Sequence, residues 1–104
     1  MKRVERVSKP EKELRELLFN AGIDFVPSFP VKNKVFDIYI PSENLLIEVD
    51  GIYWHARNKT NLNAIQLKNI ENDNIKNGLA KKMGYNLLRV WEDDIKNVPK
   101  YLRQ

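Results

Sequence analysis

The stretch Lys34-Val-Phe-Asp-Ile-Tyr-Ile40, Pro41-Ser-Glu-Asn44, Leu45-Leu-Ile-Glu-Val-Asp50 decides the fold. Two runs rich in β-branched and aromatic residues flank four turn formers, the pattern of a β-hairpin. A four-residue turn sets Ile40 opposite Leu45 and Asp37 opposite Glu48. Alternation then puts Phe36, Ile38, Ile40, Leu45, Ile47 and Val49 on one face, and Val35, Asp37, Tyr39, Leu46, Glu48 and Asp50 on the other. The first face is wholly apolar. The second gathers three acids on adjacent strands, where opposed side chains stand about 5 Å apart. Two ionised carboxylates at that distance repel by roughly 3 kcal/mol at an effective dielectric of 20. A divalent cation offsets this economically, because Mg²⁺ binds through one or two carboxylates and reaches for phosphate oxygens. Acids that face solvent, or one that is protonated, would satisfy the same pattern.

Outward from the hairpin, Gly51-Ile-Tyr-Trp-His55 follows at once and carries the chain's single histidine. Histidine titrates near neutrality and serves as a general acid or base, so its place five residues beyond Asp50 suits phosphodiester hydrolysis. Toward the N-terminus, Ser8-Lys9-Pro10-Glu11 combines a capping serine, an early proline and a capping-box glutamate. Leu14, Leu17, Leu18 and Ala21 form a helical stripe that ends at Gly22, and Ile23 to Phe29 reads as extended, interrupted by prolines. Glu11 is in line with Leu14 and Leu18, so it either reaches the sheet or only caps its helix. A helix is expected over 62–83, with Leu62, Ile65, Ile70, Leu79 and Met83 as an irregular apolar set and Gly84 as the stop. Asp73 and Lys76 lie one turn apart on it, the spacing of an ordinary surface ion pair. Tyr85 to Trp91 reads as a buried strand, and the tail adds a short helix or turn around Pro99. The order is α-β-β-β-α-β, an α/β domain with a mixed sheet flanked by helices.

A chain of 104 residues, 42% hydrophobic and 31% charged, is sized for one core and is too apolar for intrinsic disorder. We expect a single domain over 1–104, with 1–8 as the stump of a linker. No apolar run reaches membrane-span length and the start lacks the apolar core of a signal peptide, so a soluble, cytoplasmic protein without a membrane partner is expected. The absence of cysteine excludes disulfides, thiolate zinc sites and a cysteine nucleophile, leaving oxygen or imidazole to hold any metal. The net charge of +4 is concentrated at the two ends, which suits contacts to a phosphate backbone.

Asp37, Ile-Glu48-Val-Asp50-Gly51, Trp54-His55, Asp73 and Leu-Arg-Val-Trp91 together resemble the PD-(D/E)XK nuclease superfamily. Within it they are most similar to the very-short-patch-repair endonucleases and to the EDxHD catalytic domain of phage intron homing endonucleases. The resemblance runs from about Ser8 to Glu92 and implies a restriction-endonuclease-like αβββαβ core. It implies a Mg²⁺- or Mn²⁺-dependent endonuclease that hydrolyses double-stranded DNA to a 5′-phosphate, in a phage or its bacterial host. Asp37 matches the metal-binding aspartate, Glu48 the second acid, and Val49 the residue that lends a backbone carbonyl to the ion. The superfamily lysine is replaced by Asp50, so either Glu48 or Asp50 would complete the metal site. His55 matches the base, Glu11 and Asp73 match acids on flanking helices, and Lys76 stands in for the missing lysine.

Tyr53 and Trp54 match aromatic residues wedged into the DNA stack, and Arg6, Arg57, Lys59, Lys96 and Lys100 are the expected backbone contacts. The repair enzymes carry a zinc site made partly of cysteines. The lack of cysteine here favours the homing side. Site-specific cutting by so small a domain implies a homodimer or a fused DNA-recognition domain. The alternatives are a non-catalytic DNA-binding module of the same fold and a junction or flap nuclease.

Overall fold

The computed structural model describes residues 7–57 and 59–102. Helix α1 (Lys9–Asn20) is followed by strands β1 (Val26–Val31), β2 (Lys34–Ile40) and β3 (Leu45–Asp50), helix α2 (Ala64–Lys82), strand β4 (Asn86–Trp91) and the short helix α3 (Val98–Leu102). The four strands form one sheet in the order β1-β2-β3-β4. β1, β2 and β3 are antiparallel neighbours, while β4 runs parallel to β3. A parallel pair needs a crossover, and α2 supplies it. This is the α/β core with a mixed, helix-flanked sheet that the hairpin pattern and helix signals predict.

The local signals act as their chemistry requires. The Ser8 side chain accepts from Glu11 N at 3.3 Å and caps α1, with Pro10 in its first turn. Both long helices end on a glycine in the left-handed region, Gly22 at φ +71° and Gly84 at φ +82°, which lets the following N–H close on a carbonyl five residues back. The hairpin turn is a 3₁₀ segment, Pro41–Glu43, closed by Asn44 at φ 48°. Asn44 tolerates this conformation and is held there by Tyr39 Oη at 3.0 Å and Gly84 O at 2.8 Å. The register is the expected one: Ile40 faces Leu45, Tyr39 faces Leu46 and Ile38 faces Ile47.

Three details differ from the sequence reading. The extended segment runs to Val31, with both prolines inside β1; β1 is an edge strand, where a missing N–H costs little. Phe36 does not side with Ile38 and Ile40 but packs with Val31, Leu46 and Ala80. The regular pleat that alternation assumes is broken opposite Asp37, where Ser28 takes φ +50° and drops out of the ladder. Finally, α2 begins at Ala64 behind an Asn63 cap, and of its expected apolar set Ile65 and Met83 are exposed.

The sheet has two packed faces. On one, Leu14 and Leu18 of α1 meet Ile38, Ile40, Ile47 and Val90, closed by Ile95 and Val98. On the other, under α2, Phe36, Leu46 and Ala80 adjoin Phe29 stacked on Tyr39, centroids 4.3 Å apart, with Tyr85 edge-on to both. Glu48 and Asp50 point from β3 into this second face. Among the described residues no helix is long and apolar enough to cross a membrane.

Candidate active site

The β2–β3 ladder stops at Ile38 and Ile47 because the next backbone donor is taken by a side chain. Val49 N donates to Asp37 Oδ2 at 2.8 Å. Asp37 and Glu48 are therefore neighbours, as the register requires. Glu48 is only 6% exposed, and burial first, the Asp37 charge second, push its carboxyl up to about 8, against the pull of Lys76. Lys76 reaches down from α2, pairs with Glu48 Oε1, donates to Val35 O at 2.7 Å and lies over the Phe36 ring.

One strand step further on the same face lies Asp50, 7% exposed, its carboxyl also held above the usual range by burial, against the pull of Arg89 and His55. His55 comes from the loop after β3. That loop is tied down at several points: His55 N donates to Gly51 O, Ile52 N donates to Glu92 Oε1 at 2.8 Å, and Gln66 and Asn69 of α2 donate to the carbonyls of Tyr53 and Trp54 at 2.7 and 3.0 Å. His55 Nδ1 is 2.5 Å from Asp73 Oδ2. An ionised carboxylate can only accept, so Nδ1 carries a proton; in the neutral ring that leaves the lone pair on Nε2, 3.9 Å from Asp50 Oδ1.

Seven of the expected site residues thus converge: Asp37, Glu48, Val49, Asp50, His55, Asp73 and Lys76. They form two adjoining groups rather than one. Asp37, Glu48 and Lys76, with Val49 bonded to Asp37, make the first; Asp50, His55 and Asp73 make the second, with ligand atoms all within 4.8 Å of one another, a geometry that could hold a metal ion. The first group also has donors to offer. Glu48 Oε1 is buried and, beyond its ion pair with Lys76, makes no hydrogen bond. Hard oxygen donors of this kind fit a hard divalent cation.

The remaining expected residues are placed elsewhere. Glu11 sits in the first turn of α1, accepting from Ser8 Oγ at 3.2 Å. Tyr53 and Trp54 are edge to face, 57% and 53% exposed on the His55 loop, and do not join the apolar face. Arg57 is bidentate to Asp93 at 3.0 and 2.8 Å and stacks on Trp91, while Lys59 donates to Gln66 Oε1 at 3.0 Å. Lys96 and Lys100 lie in the segment that packs on α1, on the side of the sheet away from the carboxylates. Arg6 lies outside the described residues, as do residues 1–6 of the expected linker stump.

Two site residues are not foreseen by the sequence reading. Arg89 of β4 donates from Nη1 to Asp50 Oδ1 at 2.9 Å and from Nε to Asn77 Oδ1 at 2.6 Å. Its signal is a lone charge inside the otherwise apolar run of a buried strand. Gln66 is fully buried, closes a capping box with Asn63, and holds the Tyr53 carbonyl. Its signal is Asn63 followed three residues later by glutamine.

No protein-family model matches this chain, and no curated protein does. Among solved structures it is similar to "Homing Endonuclease I-Bth0305I Catalytic Domain", with a TM-score of 0.63 and 23% identity over 91% of this chain and 87% of that one. The αβββαβ core described above is therefore a fold that the catalytic domain of a homing endonuclease also adopts.

Proposed function

We propose that this chain is a metal-dependent DNA endonuclease domain of the PD-(D/E)XK class, on the very-short-patch-repair and EDxHD side of it, acting on double-stranded DNA. The observation that carries the reading is the 2.5 Å pairing of His55 with Asp73 beside the buried carboxylates of Glu48 and Asp50. The likeness in fold to a homing endonuclease catalytic domain supports it.

In this reading Asp37, with Glu48 or Asp50 and the Val49 carbonyl, would hold Mg²⁺ or Mn²⁺. When bound, the ion supplies positive charge that polarises the scissile phosphate and steadies the leaving oxygen. The residues themselves do the rest. Asp73 fixes the His55 ring and its tautomer, so that Nε2 is the free base available to take a proton from the attacking water. Lys76, anchored on Val35 O, offers a second positive charge next to Glu48 and would stand in from the helix for the superfamily lysine. Tyr53 and Trp54, exposed on the loop that carries His55, would meet the bases, with Arg57 and Lys59 beside them on the phosphates. The product would carry a 5′-phosphate.

Purified protein with supercoiled plasmid and Mg²⁺ should nick or cut it, EDTA should stop the reaction, and Asp37→Asn should abolish cleavage while DNA binding is kept. Binding without cleavage under every divalent ion would instead identify a non-catalytic DNA-binding module.

A further inference from the structure

The group Asp50, His55 and Asp73 has the atoms to ligate a metal, yet a guanidinium already stands on it. Arg89 Nη1 donates to Asp50 Oδ1 at 2.9 Å and lies 3.4 Å from Asp73 Oδ1. Its Nη2 donates to the Asp73 carbonyl at 3.2 Å and its Nε to Asn77 Oδ1 at 2.6 Å. These partners belong to β3 and to two successive turns of α2, so the guanidinium plane is fixed along both edges. A guanidinium keeps its charge in a protein and cannot accept a proton. It is a permanent cation in the place an ion would take.

The cation beside the other acids is of a different kind. Lys76 carries one ammonium on a flexible four-carbon stem, and that charge serves Glu48 with Asp37 next to it. An ammonium held by one carbonyl and one carboxylate can swing aside, whereas Arg89 would have to break its bonds to three residues. The two carboxylate groups therefore differ in how readily they admit a divalent ion.

Resting on the nuclease reading above, the geometry points to Arg89 as a positioning residue that allots the ion: it neutralises Asp50 and Asp73, directs the divalent cation to Asp37 and Glu48, and keeps His55 Nε2 free of metal. Of the two acids that could complete the metal site, Arg89 selects Glu48. Its loss would turn the base into a ligand.

The test is Mn²⁺ binding to the whole chain without DNA, with the number of bound ions counted by titration and coordinated imidazole detected by pulsed EPR. Wild-type protein should bind Mn²⁺ with no imidazole nitrogen in its coordination shell. Arg89→Gln should gain a further ion that shows one, and that signal should vanish in Arg89→Gln/His55→Gln. Arg89→Lys, which keeps the charge but not the bonds to Asp50, Asp73 and Asn77, should admit the imidazole-ligated ion more weakly than Arg89→Gln, an ordering that a merely structural role for the arginine would not produce. Imidazole-ligated Mn²⁺ in the wild type, or no gain in Arg89→Gln, overturns the assignment. Should the wild type bind no Mn²⁺ while Arg89→Gln acquires an imidazole-ligated ion, no ion is directed to Glu48, and the assignment falls together with the metal-dependent reading. If Arg89→Gln does not fold, the wild-type spectrum decides: bound Mn²⁺ free of imidazole upholds the assignment, and imidazole-ligated Mn²⁺ or no bound ion overturns it.

Discussion

On the α1 side of the sheet the buried contacts are made by Leu14, Leu18, Ile38, Ile40, Ile47, Val90, Ile95 and Val98, side chains without a polar atom, whereas the residues α2 buries on the opposite side are Gln66, Lys76 and Ala80. Both helices dock on the same four strands. The first does so by removing apolar surface from water, which is non-directional and forgiving of shape changes that conserve volume. The second docks largely through ion pairs and hydrogen bonds, to Glu48, His55, Arg89, Val35 O, Tyr53 O and Trp54 O. These are directional, and costly when left unmatched. One face of the sheet thus supplies apolar burial alone, while the other sets geometry beside a smaller apolar cluster around Phe36, Leu46 and Ala80.

The contrast can be broken from either side. The largest effect is expected at the polar face: His55→Ala should lower plasmid cleavage by roughly 10²–10⁴, the range set by loss of a general base, at a stability cost of only about 1–3 kcal/mol for the partner that Asp73 loses. An unfolded variant, or one with undiminished cleavage, would show that His55 serves the loop and not the chemistry. Leu18→Ala on the apolar face should do the reverse, losing about 2–5 kcal/mol in denaturant melts with cleavage per folded molecule retained. Loss of cleavage in the folded fraction would mean that the two faces are not separable.

Glu48 offers a test by pH. Its folded carboxyl titrates at about 8, against 4.5 for an ordinary one. Below pH 4.5 the folded and unfolded chains are both protonated there and burial of the group is unpenalised. Between pH 4.5 and 8 the unfolded chain releases a proton that the folded chain keeps, so stability falls as pH rises. Glu48→Gln should remove that slope: the two melting curves should coincide at pH 4 and separate by roughly a few kcal/mol in favour of the variant at pH 8. Parallel pH dependences in wild type and variant would refute the buried neutral acid.

Smaller still, Gln66→Ala should cost about 1–3 kcal/mol through the lost bonds to Tyr53 O, Asn63 N and Lys59 Nζ. It should also speed hydrogen exchange at the amides of His55 and Arg57, which close the turns of the same loop. The smallest effect is expected at Ile65→Asn, an exposed position of α2, within about 0.5 kcal/mol. A larger loss there would show that α2 depends on apolar contact at Ile65 as well as at Ala80.

What could be read in advance follows the same division. The α1 face was legible because it is written in local code: a cap at Ser8, leucines at helical spacing and a period-2 alternation whose register the Pro41–Asn44 turn sets. That register also placed Asp37 against Glu48. The α2 face was less so. A helix that docks through a lysine, a glutamine and an aspartate shows no apolar stripe, and Ile65, which looked inward in the sequence, faces solvent. Phe36 escaped because a single backbone irregularity at Ser28 breaks the alternation on which the face assignment relied.

The sequence alone determined the order of elements, their caps, the hairpin register and the identity of most groups in the candidate site, since these depend on neighbours within a few residues. Only the tertiary structure decided that the acids divide into two groups, that Arg89 of β4 bridges Asp50 to α2, that Arg57 is already matched by Asp93, and that Lys96 and Lys100 lie on the far side of the sheet. The bonds of the site join residues far apart in sequence, Arg89 to Asp50 by 39 positions and Lys76 to Val35 by 41. No local periodicity encodes such a separation; it follows from how the β3-α2-β4 crossover folds its helix back over the sheet.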